Sequence, residues 1–314
     1  MKKLGIVCSG GPAPGINSVI RAIVIEARNR NLEVIGFLDG FYYLSKGQLI
    51  YKKLDIEDVS RVHYSGGSII GTSRGNMDEE KILNIYESLL KSGINYLISI
   101  GGDGTASLVY KISKIDKEQK IKFAHIPKTI DNDFPLPLNS RTFGFETARD
   151  LGMKLVLNLI EDARVLKRWF FVQVMGRDTG HLAIGIGKSS GATLSIIPEE
   201  FILDILEGAI IKRLDFNKPY GVAIIAEGIS LKLNVDISHY RTISEFPLVE
   251  ILSEKLQERL KRRNINITII PQNLGYVLRN AQPIAFDIAY TITLGYGAVK
   301  FLLSDNKIHC GVIT

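Results

Sequence analysis

The sequence predicts an α/β fold of two Rossmann-like three-layer lobes with mainly parallel sheets. Short, almost continuously apolar runs alternate along the chain with longer stretches of helical apolar spacing. Parallel strands that are covered by helices on both faces produce this pattern. The 314 residues suit one large domain or two ordinary ones, and two lobes fit both the length and the alternation.

Each predicted element follows from one of these two patterns. Strands are predicted at the short apolar runs 4–8, 33–38, 96–100, 122–126, 169–175, 193–197, 221–226 and 266–270. Helices are predicted where apolar residues recur every three or four positions, at 78–92, 145–163, 247–263 and 285–303. The chain is expected to pass from one lobe to the other near residue 140. One lobe then comprises residues 1–140 and 280–303, and the other comprises residues 141–279 and 304–314.

Composition narrows the class of protein. The first apolar run is too short for a signal peptide, and no run reaches the roughly 18 apolar residues of a membrane helix. Cys8 and Cys310 fall on predicted buried strands, which is typical of a reduced cytoplasmic compartment. The net charge of +6 suits an anionic ligand, but the cations are scattered and their densest run, 261–263, ends a predicted helix. Nucleic acid is therefore not expected, and small phosphorylated substrates stay open.

The unusual residues all fall at one place in the predicted topology. SGGPAPG begins at residue 9, GGDGT at 101, PKTIDND at 127, GRDTGH at 176 and EG at 227. Each segment follows the C-terminal end of a predicted strand, which is the edge where open parallel sheets bind ligands. Together these five loops predict an active site in the cleft between the lobes.

The first two loops have the composition of a phosphate and metal site. Glycines in 9–15 let backbone amides approach a phosphate at a helix N-terminus, although a tight strand-to-helix turn has the same composition. In GGDGT, Asp103 suits Mg²⁺, which takes few protein oxygens and completes its shell with phosphate and water. The alternative is that Asp103 caps the helix expected from Thr105. The neighbouring glycines and threonine favour the metal role.

PKTIDND carries two carboxylates that point the same way if the loop is extended. Asp131 and Asp133 are two residues apart, and phosphoryl transfer needs a base on the acceptor, Mg²⁺ on the donor and cations on the developing charge. Asx-turn formation would explain the same residues without any function. Arg74 and Arg177 lie in glycine-rich loops, where a guanidinium can bind phosphate oxygens in a fork. The other polar residues of 176–181 are expected to cap or pack.

Taken together, these loops resemble the phosphofructokinase family, whose members phosphorylate fructose 6-phosphate at its 1-hydroxyl and give fructose 1,6-bisphosphate in glycolysis. The resemblance runs in order from SGG through GGDGT, TIDND and MGR to LGYVLR at 274–279, and it covers nearly the whole chain. GGDGT alone also occurs in NAD kinases and lipid kinases. GGDGT followed by PKTIDND and VMGRDTGH is highly specific. A catalytically inactive sugar-phosphate sensor would lose Asp103 or Asp131, and both are present.

The resemblance implies a role for each matched position. Asp131 would be the general base, Thr129 would lie beside the transferring group, Arg177 would stabilise its charge, and Asp103 would hold magnesium. The donor would contact the first lobe at Gly11, Arg74, Gly75, Gly102, Asp103, Gly104 and Thr105. Fructose 6-phosphate would contact Thr129, Asp131, Arg168, Met175, Gly176, Arg177, Glu227, Tyr276 and Arg279, most of them in the second lobe.

The resemblance also implies a homo-oligomer, a dimer or a tetramer. Arg168 resembles an arginine that a neighbouring subunit donates to the sugar phosphate. A second such arginine is replaced here by Ile270, and the usual LGHxQRGG reads LGYVLRNA. Of the basic effector positions, Arg21 matches, whereas others align with Ile25 and Ile56. Reduced or absent allosteric regulation is therefore expected.

Two positions distinguish ATP-dependent from pyrophosphate-dependent members of this family, and in this sequence they indicate different donors. Gly104 is the ATP form, because pyrophosphate-using relatives carry an aspartate there, whose bulk and charge oppose the α-phosphate of ATP. Lys128 is the pyrophosphate form, because bacterial ATP enzymes typically carry glycine there. Since steric exclusion decides more strongly than an added attraction, the sequence favours ATP. A pyrophosphate-dependent or mixed-donor enzyme is the alternative.

Overall fold

Two separate sheets organise the chain, each in its own unit. The computed structural model describes residues 1–201, 203–233, 239–240 and 242–314. The first unit comprises residues 1–129, 134–147 and 279–314, and the second comprises residues 130–133 and 148–278. Each unit is a mixed α/β structure with a mainly parallel sheet, which confirms the predicted fold class.

The element boundaries follow the predicted alternation closely. In chain order, the strands are β1 (Lys3–Cys8), β2 (Glu33–Phe37), β3 (Tyr51–Lys53), β4 (Tyr96–Gly101), β5 (Lys122–Pro127), β6 (Trp169–Val174), β7 (Leu194–Ile196), β8 (Gly221–Ala226), β9 (Ile269–Asn273) and β10 (Cys310–Val312). The helices are α1 (Ile16–Asn29), α2 (Glu79–Lys91), α3 (Asp103–Ile115), α4 (Phe145–Leu166), α5 (His181–Ser190), α6 (Leu203–Asp215), α7 (Leu248–Arg262), α8 (Gly275–Arg279) and α9 (Ala285–Leu303).

The sheet of the first unit has the strand order β10-β5-β4-β1-β2-β3, and β3 is its antiparallel strand. Residues of β1 alternate between two cores. Leu4, Ile6 and Cys8 pack with α1 and α9 on one face, whereas Val7 packs with α2 and α3 on the other. Because both faces are covered, the strand is apolar at nearly every position.

Helix α9 is long and apolar enough to cross a membrane by length and composition, and it is the one helix in the described ranges that passes this test. It packs against α1, since a Cβ on Gly295 would come within 2.7 Å of the Ala22 Cβ. Asp287 and Thr291 on the same helix are fully buried. These contacts place one face of α9 in the core of the first unit.

The sheet of the second unit has the order β7-β8-β6-β9, and its described strand pairs are all parallel. Strands β6 and β8 are buried along their whole length. Helices α6 and α7 form a core with these strands. Helix α5 packs on β7 and β8, and Gly152 of α4 lies against Ile186 of α5.

The structure corrects the bounds of one strand and the assignment of several segments to the two lobes. The last strand of the second sheet runs over Ile269–Asn273 instead of 266–270. It includes Pro271, which an edge strand tolerates because it needs ladder bonds on one side only. Residues 304–314 belong to the first unit and not to the predicted second lobe, because β10 pairs with β5. Residues 141–147 also belong to the first unit, whereas residues 130–133, predicted in the first lobe, belong to the second unit.

His125 on β5 makes the stability of the first unit depend on pH. It is 2% exposed, and its Nδ1 lies 2.8 Å from Ser99 Oγ. Burial lowers the pKa of His125 to about 4 from 6.5, and the Lys128 charge acts in the same direction. The stability due to neutral His125 is therefore present above pH 6.5 and is lost as the pH falls towards 4. About 2 kcal/mol of the free energy of unfolding should be lost by pH 5.

Urea unfolding at pH 7.5 and pH 5 of the wild type and of His125→Gln tests this prediction. The free energy of unfolding should fall more steeply in the wild type, because glutamine does not titrate. Equal losses in the two proteins would assign the pH dependence to other groups.

Candidate active site

The glycine turn after β1 is held by backbone bonds from two other segments. Ser9 N donates to Ile100 O at 2.9 Å, and Gly10 N donates to Ser73 O at 2.9 Å. Thr72 Oγ1 donates to Gly10 O at 2.8 Å. Gly10 has a φ of +92°, a left-handed conformation that glycine adopts without strain. The turn is therefore fixed at the carboxyl edge of the sheet, as the sequence predicted.

Three cationic side chains surround this turn. Lys128 is 4% exposed, and its Nζ donates a short hydrogen bond to Gly11 O. A Cβ on Gly11 would overlap the Arg74 guanidinium and would lie 3.0 Å from Arg279 Nη1. A side chain at this position would displace one or both guanidinium groups, so glycine lets both arginines approach the turn. We call Lys128, Arg74 and Arg279 the cation cluster, and so much positive charge at a glycine turn suits a multiply charged anion.

The structure places Arg279 in the first unit, whereas the sequence prediction placed it in the second lobe. That prediction assigned Arg279 to the sugar phosphate together with residues of the second lobe. In the structure Arg279 belongs to the first unit and approaches the glycine turn. Short-range sequence signals could not reveal this contact, because it joins residues near opposite ends of the chain.

The GGDGT segment starts helix α3. Gly102 is the N-cap residue and Asp103 the first helical residue, so Asp103 does not occupy the capping position that was its alternative role. Asp103 and Gly104 are exposed, whereas Thr105 is buried. A Cβ on Gly104 would meet no atom within 4 Å. The described residues contain no group of three or more His, Cys, Asp or Glu that could hold a metal by themselves.

Two further predicted site residues lie in the first unit: Gly75, predicted at the donor, and Thr129, predicted beside the transferring group. Gly75 is exposed, and a Cβ placed on it would lie 3.8 Å from Met77 Cε. Thr129 is 8% exposed, and its carbonyl oxygen accepts a 2.8 Å hydrogen bond from Thr142 Oγ1. This hydrogen bond fixes the backbone of Thr129.

In the second unit, Arg177 faces both carboxylates of the TIDND segment. Its Nε lies 3.9 Å from Asp131 Oδ2, and its Nη1 lies 3.6 Å from Asp133 Oδ2. Asp131 is 9% exposed. The guanidinium lies within 4 Å of both carboxylates, so its positive charge offsets their mutual repulsion. A largely buried carboxylate beside a cation has the geometry of a candidate proton acceptor.

His181 contacts the turn between Asp131 and Asp133. The sequence did not reveal this contact. The Nδ1 of His181 lies 3.0 Å from Asn132 O, and Asn132 has a φ of 54°. His181 begins α5, so the helix holds the loop through its first residue. The sequence predicted only local capping or packing for His181, whereas this contact reaches a distant segment of the chain.

Glu227 holds the backbone of Arg177. Its Oε1 accepts the Arg177 N–H at 3.1 Å, and Arg177 has a left-handed φ of 49°. Burial raises the pKa of Glu227, while hydrogen bonds from Ser244 and from the backbone of Arg177 and Gly176 oppose that rise. Glu227 therefore stabilises a backbone conformation that costs a non-glycine residue free energy.

The remaining predicted sugar contacts also lie in the second unit. Met175 is buried and touches the Gly275 position, where a Cβ would be 3.3 Å from Met175 Cε. The Tyr276 hydroxyl lies 3.3 Å from Thr242 Oγ1. Arg168 donates to Asp162 Oδ1 from Nε at 2.7 Å, and its guanidinium lies over the Phe170 ring. Arg168 is thus oriented by its own chain.

Comparison with known proteins identifies the family. A family model described as phosphofructokinase matches residues 3–302. The chain belongs to the phosphofructokinase family. This confirms the resemblance carried by the loop motifs, and it makes the protein a phosphotransferase.

Named relatives differ in their phosphoryl donor. The pyrophosphate–fructose 6-phosphate 1-phosphotransferase of Thermotoga maritima is 49% identical over 97% of this chain and 78% of its own. That of Naegleria fowleri is 42% identical over 97% of this chain and 77% of its own. An ATP-dependent 6-phosphofructokinase from a Sulfurihydrogenibium species is 33% identical over 98% of this chain and 88% of its own.

A solved structure has the same fold. Pichia pastoris phosphofructokinase in the T-state superimposes with a TM-score of 0.80 at 26% identity, over 97% of this chain. The chain spans 33% of the length of that protein.

Replacing Glu227 tests the role of its bond to Arg177. In Glu227→Ala the Arg177 N–H loses a buried acceptor, which costs about 1–3 kcal/mol. We expect kcat/KM for the sugar phosphate to fall roughly 10- to 100-fold. Steady-state kinetics measure this, with Glu199→Ala as a control at an exposed carboxylate that also accepts a backbone N–H, that of Gly180. A similar loss in both variants would contradict a specific role for Glu227.

Proposed function

We propose that the chain transfers a phosphoryl group to the 1-hydroxyl of fructose 6-phosphate with pyrophosphate as the preferred donor. Membership of the phosphofructokinase family supports the reaction. The cation cluster at the glycine turn is the observation that carries the choice of donor. Relatives at 49% and 42% identity are named as pyrophosphate enzymes, whereas the ATP-dependent relative is 33% identical.

Charge density explains why the cluster favours pyrophosphate. Pyrophosphate concentrates its negative charge on two phosphates, whereas ATP spreads its charge over three and adds an adenosine that needs its own contacts. Lys128 and the two arginines supply three positive charges around Gly11. In a site that is partly shielded from water, such charges attract a compact anion more strongly than they would in water.

ATP is a second candidate because of Gly104. The Cβ position of Gly104 is open, so nothing there excludes an α-phosphate. The sequence favoured ATP because it weighed this absence of exclusion above the attraction of Lys128. The cation cluster and the names of the relatives favour pyrophosphate instead. The open position at Gly104 allows ATP to enter but adds no contact that attracts it.

Asp131 and Arg177 perform the transfer in this proposal. Asp131 accepts the proton of the 1-hydroxyl while the bond from that oxygen to phosphorus forms. The bond from phosphorus to the bridging oxygen breaks, and inorganic phosphate leaves with the electron pair. Arg177, together with Lys128 and Thr129, stabilises the charge on the transferring group. The products are fructose 1,6-bisphosphate and phosphate, which places the enzyme in glycolysis.

Asp103 fits a magnesium ion that is bound mainly through the donor. Its carboxylate is exposed at the start of α3, and Mg²⁺ commonly takes only one or two protein carboxylates and fills its shell with phosphate and water. When bound, magnesium neutralises charge on the donor phosphates. The amides of Gly102, Gly104 and Thr105 would bind the same phosphates.

The sugar phosphate is proposed to bind the second unit through Met175, Gly176, Glu227 and Tyr276. Arg168 reaches the sugar phosphate of a neighbouring subunit, so the active protein is a dimer or a tetramer. Ile270 replaces a second arginine of this kind, and we propose weaker binding of the 6-phosphate as its consequence. We also propose that the enzyme works in the cytoplasm.

Donor kinetics test the proposed function. The purified protein is assayed with magnesium, fructose 6-phosphate and either pyrophosphate or ATP. We expect kcat/KM for pyrophosphate to exceed that for ATP by at least about tenfold, a difference of about 1.4 kcal/mol. Strong turnover with ATP and none with pyrophosphate would overturn the choice of donor.

Gly104→Asp serves as the variant for this assay. Its carboxylate would oppose the α-phosphate of ATP, so any ATP turnover should fall while turnover with pyrophosphate is kept. Unchanged ATP kinetics in the variant would contradict the steric argument at this position.

A further inference from the structure

A buried carboxylate on α9 fastens the segment that follows the TIDND loop. Asp287 is 0% exposed. It accepts hydrogen bonds from Gly144 N at 2.9 Å, from Thr147 N at 2.8 Å and from the Thr147 hydroxyl. The Thr147 hydroxyl oxygen in turn accepts the Ile284 N–H at 3.1 Å. All these residues lie in the first unit.

The fastened segment, residues 142–147, supports the donor lysine from behind. Phe143 forms an isolated parallel bridge with Lys128. Thr142 Oγ1 donates to Thr129 O at 2.8 Å. Residues 142–143 and residues 128–129 are therefore joined by two adjacent contacts. One is the backbone bridge, and the other is the side-chain hydrogen bond. A shift of residues 142–147 would move the backbone that carries Lys128 and Thr129.

The same segment also packs under the glycine turn. Phe143 is fully buried. Gly15, which precedes α1, has a φ of +102°, and a Cβ there would come 3.1 Å from the Phe143 ring and 2.9 Å from Thr291 Cγ2. Helix α9, residues 142–147 and the end of the glycine turn thus pack together without room for another methyl group.

Burial raises the pKa of Asp287, and hydrogen bonds from Thr147 and from the backbone of Gly144 oppose that rise. In the part of the chain that the structure describes, Asp287 forms no ion pair with a lysine or an arginine. Its partners are N–H groups at the start of α4, where the helix dipole favours negative charge. Burying a carboxylate in this way costs free energy, so its presence calls for an explanation beyond packing.

We propose that Asp287 is a positioning residue for the phosphoryl-donor site. Through residues 142–147 it fixes where Lys128 and Thr129 lie relative to the glycine turn. The proposal rests on the proposed function only in taking Lys128 as a donor contact. Asp287 itself touches neither substrate.

Asp116 provides a matched control for a purely structural role. It is also buried in the first unit. It accepts the N–H groups of Lys120 and Ile121 at 3.0 and 2.9 Å and the Tyr86 hydroxyl at 3.0 Å. It follows the C-terminal end of α3 and bonds to no residue of 142–147. Removing its charge should cost stability without moving Lys128.

The experiment compares Asp287→Asn, Thr142→Val and Asp116→Asn in the full chain. KM and kcat are measured for pyrophosphate and for fructose 6-phosphate, and Tm is measured for each protein. We expect Asp287→Asn and Thr142→Val to raise KM for pyrophosphate about 5- to 10-fold and to change KM for the sugar phosphate less than twofold. Asp116→Asn should lower Tm and leave both KM values unchanged.

The double variant Asp287→Asn with Thr142→Val tests whether both residues act through one segment. Their effects on KM for pyrophosphate should be less than multiplicative, because coupled residues are not additive. An Asp287→Asn protein with lowered Tm and unchanged KM for pyrophosphate would overturn the proposal. If Asp287→Asn does not fold, Thr142→Val against Thr142→Ser decides, since serine keeps the hydroxyl and should keep the wild-type KM.

Hydrogen exchange separates this proposal from the proposed function. Peptides covering residues 126–131 should exchange faster in Asp287→Asn than in Asp116→Asn, without any substrate. If the wild type turns over neither donor, the proposed function fails while this readout still tests Asp287. Equal exchange of 126–131 in the two variants would overturn the positioning role by itself.

Discussion

The proposed donor site depends on holding three cations around one glycine turn. Like charges repel, so Lys128, Arg74 and Arg279 need a framework that keeps them together. The turn supplies it, because Gly10 adopts a left-handed conformation and Gly11 leaves space for two guanidinium groups. The backbone bonds from Ser9 to Ile100 and from Gly10 to Ser73 fix the turn to the sheet. A multiply charged anion relieves this repulsion, which links the fold to the choice of donor.

Both units use the same way of placing charged residues. A parallel strand buried on both faces ends in a loop, and a neighbouring element fixes that loop through backbone atoms. His181 holds Asn132, Glu227 holds Arg177 and Thr142 holds Thr129. Each of these contacts fixes the backbone of a loop residue and does not involve its side chain. Such preorganisation lowers the free energy that binding and transfer must supply.

The sequence predicted the fold class and the loops well, because both leave local patterns. Strand periodicity and strand-end glycines need only neighbouring residues to be recognised. The contacts of Arg279 with the glycine turn and of Asp287 with residues 144 and 147 join distant parts of the chain, so no local pattern reveals them. The edge strand Ile269–Asn273 was misplaced because Pro271 normally argues against a strand. The choice of donor was weighed from Gly104 and Lys128, whereas the structure adds Arg279 to Lys128 and Arg74 at the glycine turn.

The binding of a nonhydrolysable pyrophosphate analogue, methylenediphosphonate, tests the cation cluster most directly. Calorimetry compares the wild type with Arg279→Gln, with fructose 6-phosphate titrated separately into each protein. The account predicts that Arg279→Gln weakens binding of the analogue about tenfold or more and changes binding of the sugar phosphate less. Unchanged binding of the analogue, with weakened binding of the sugar phosphate, would contradict the placement of Arg279 at the donor and with it the central claim.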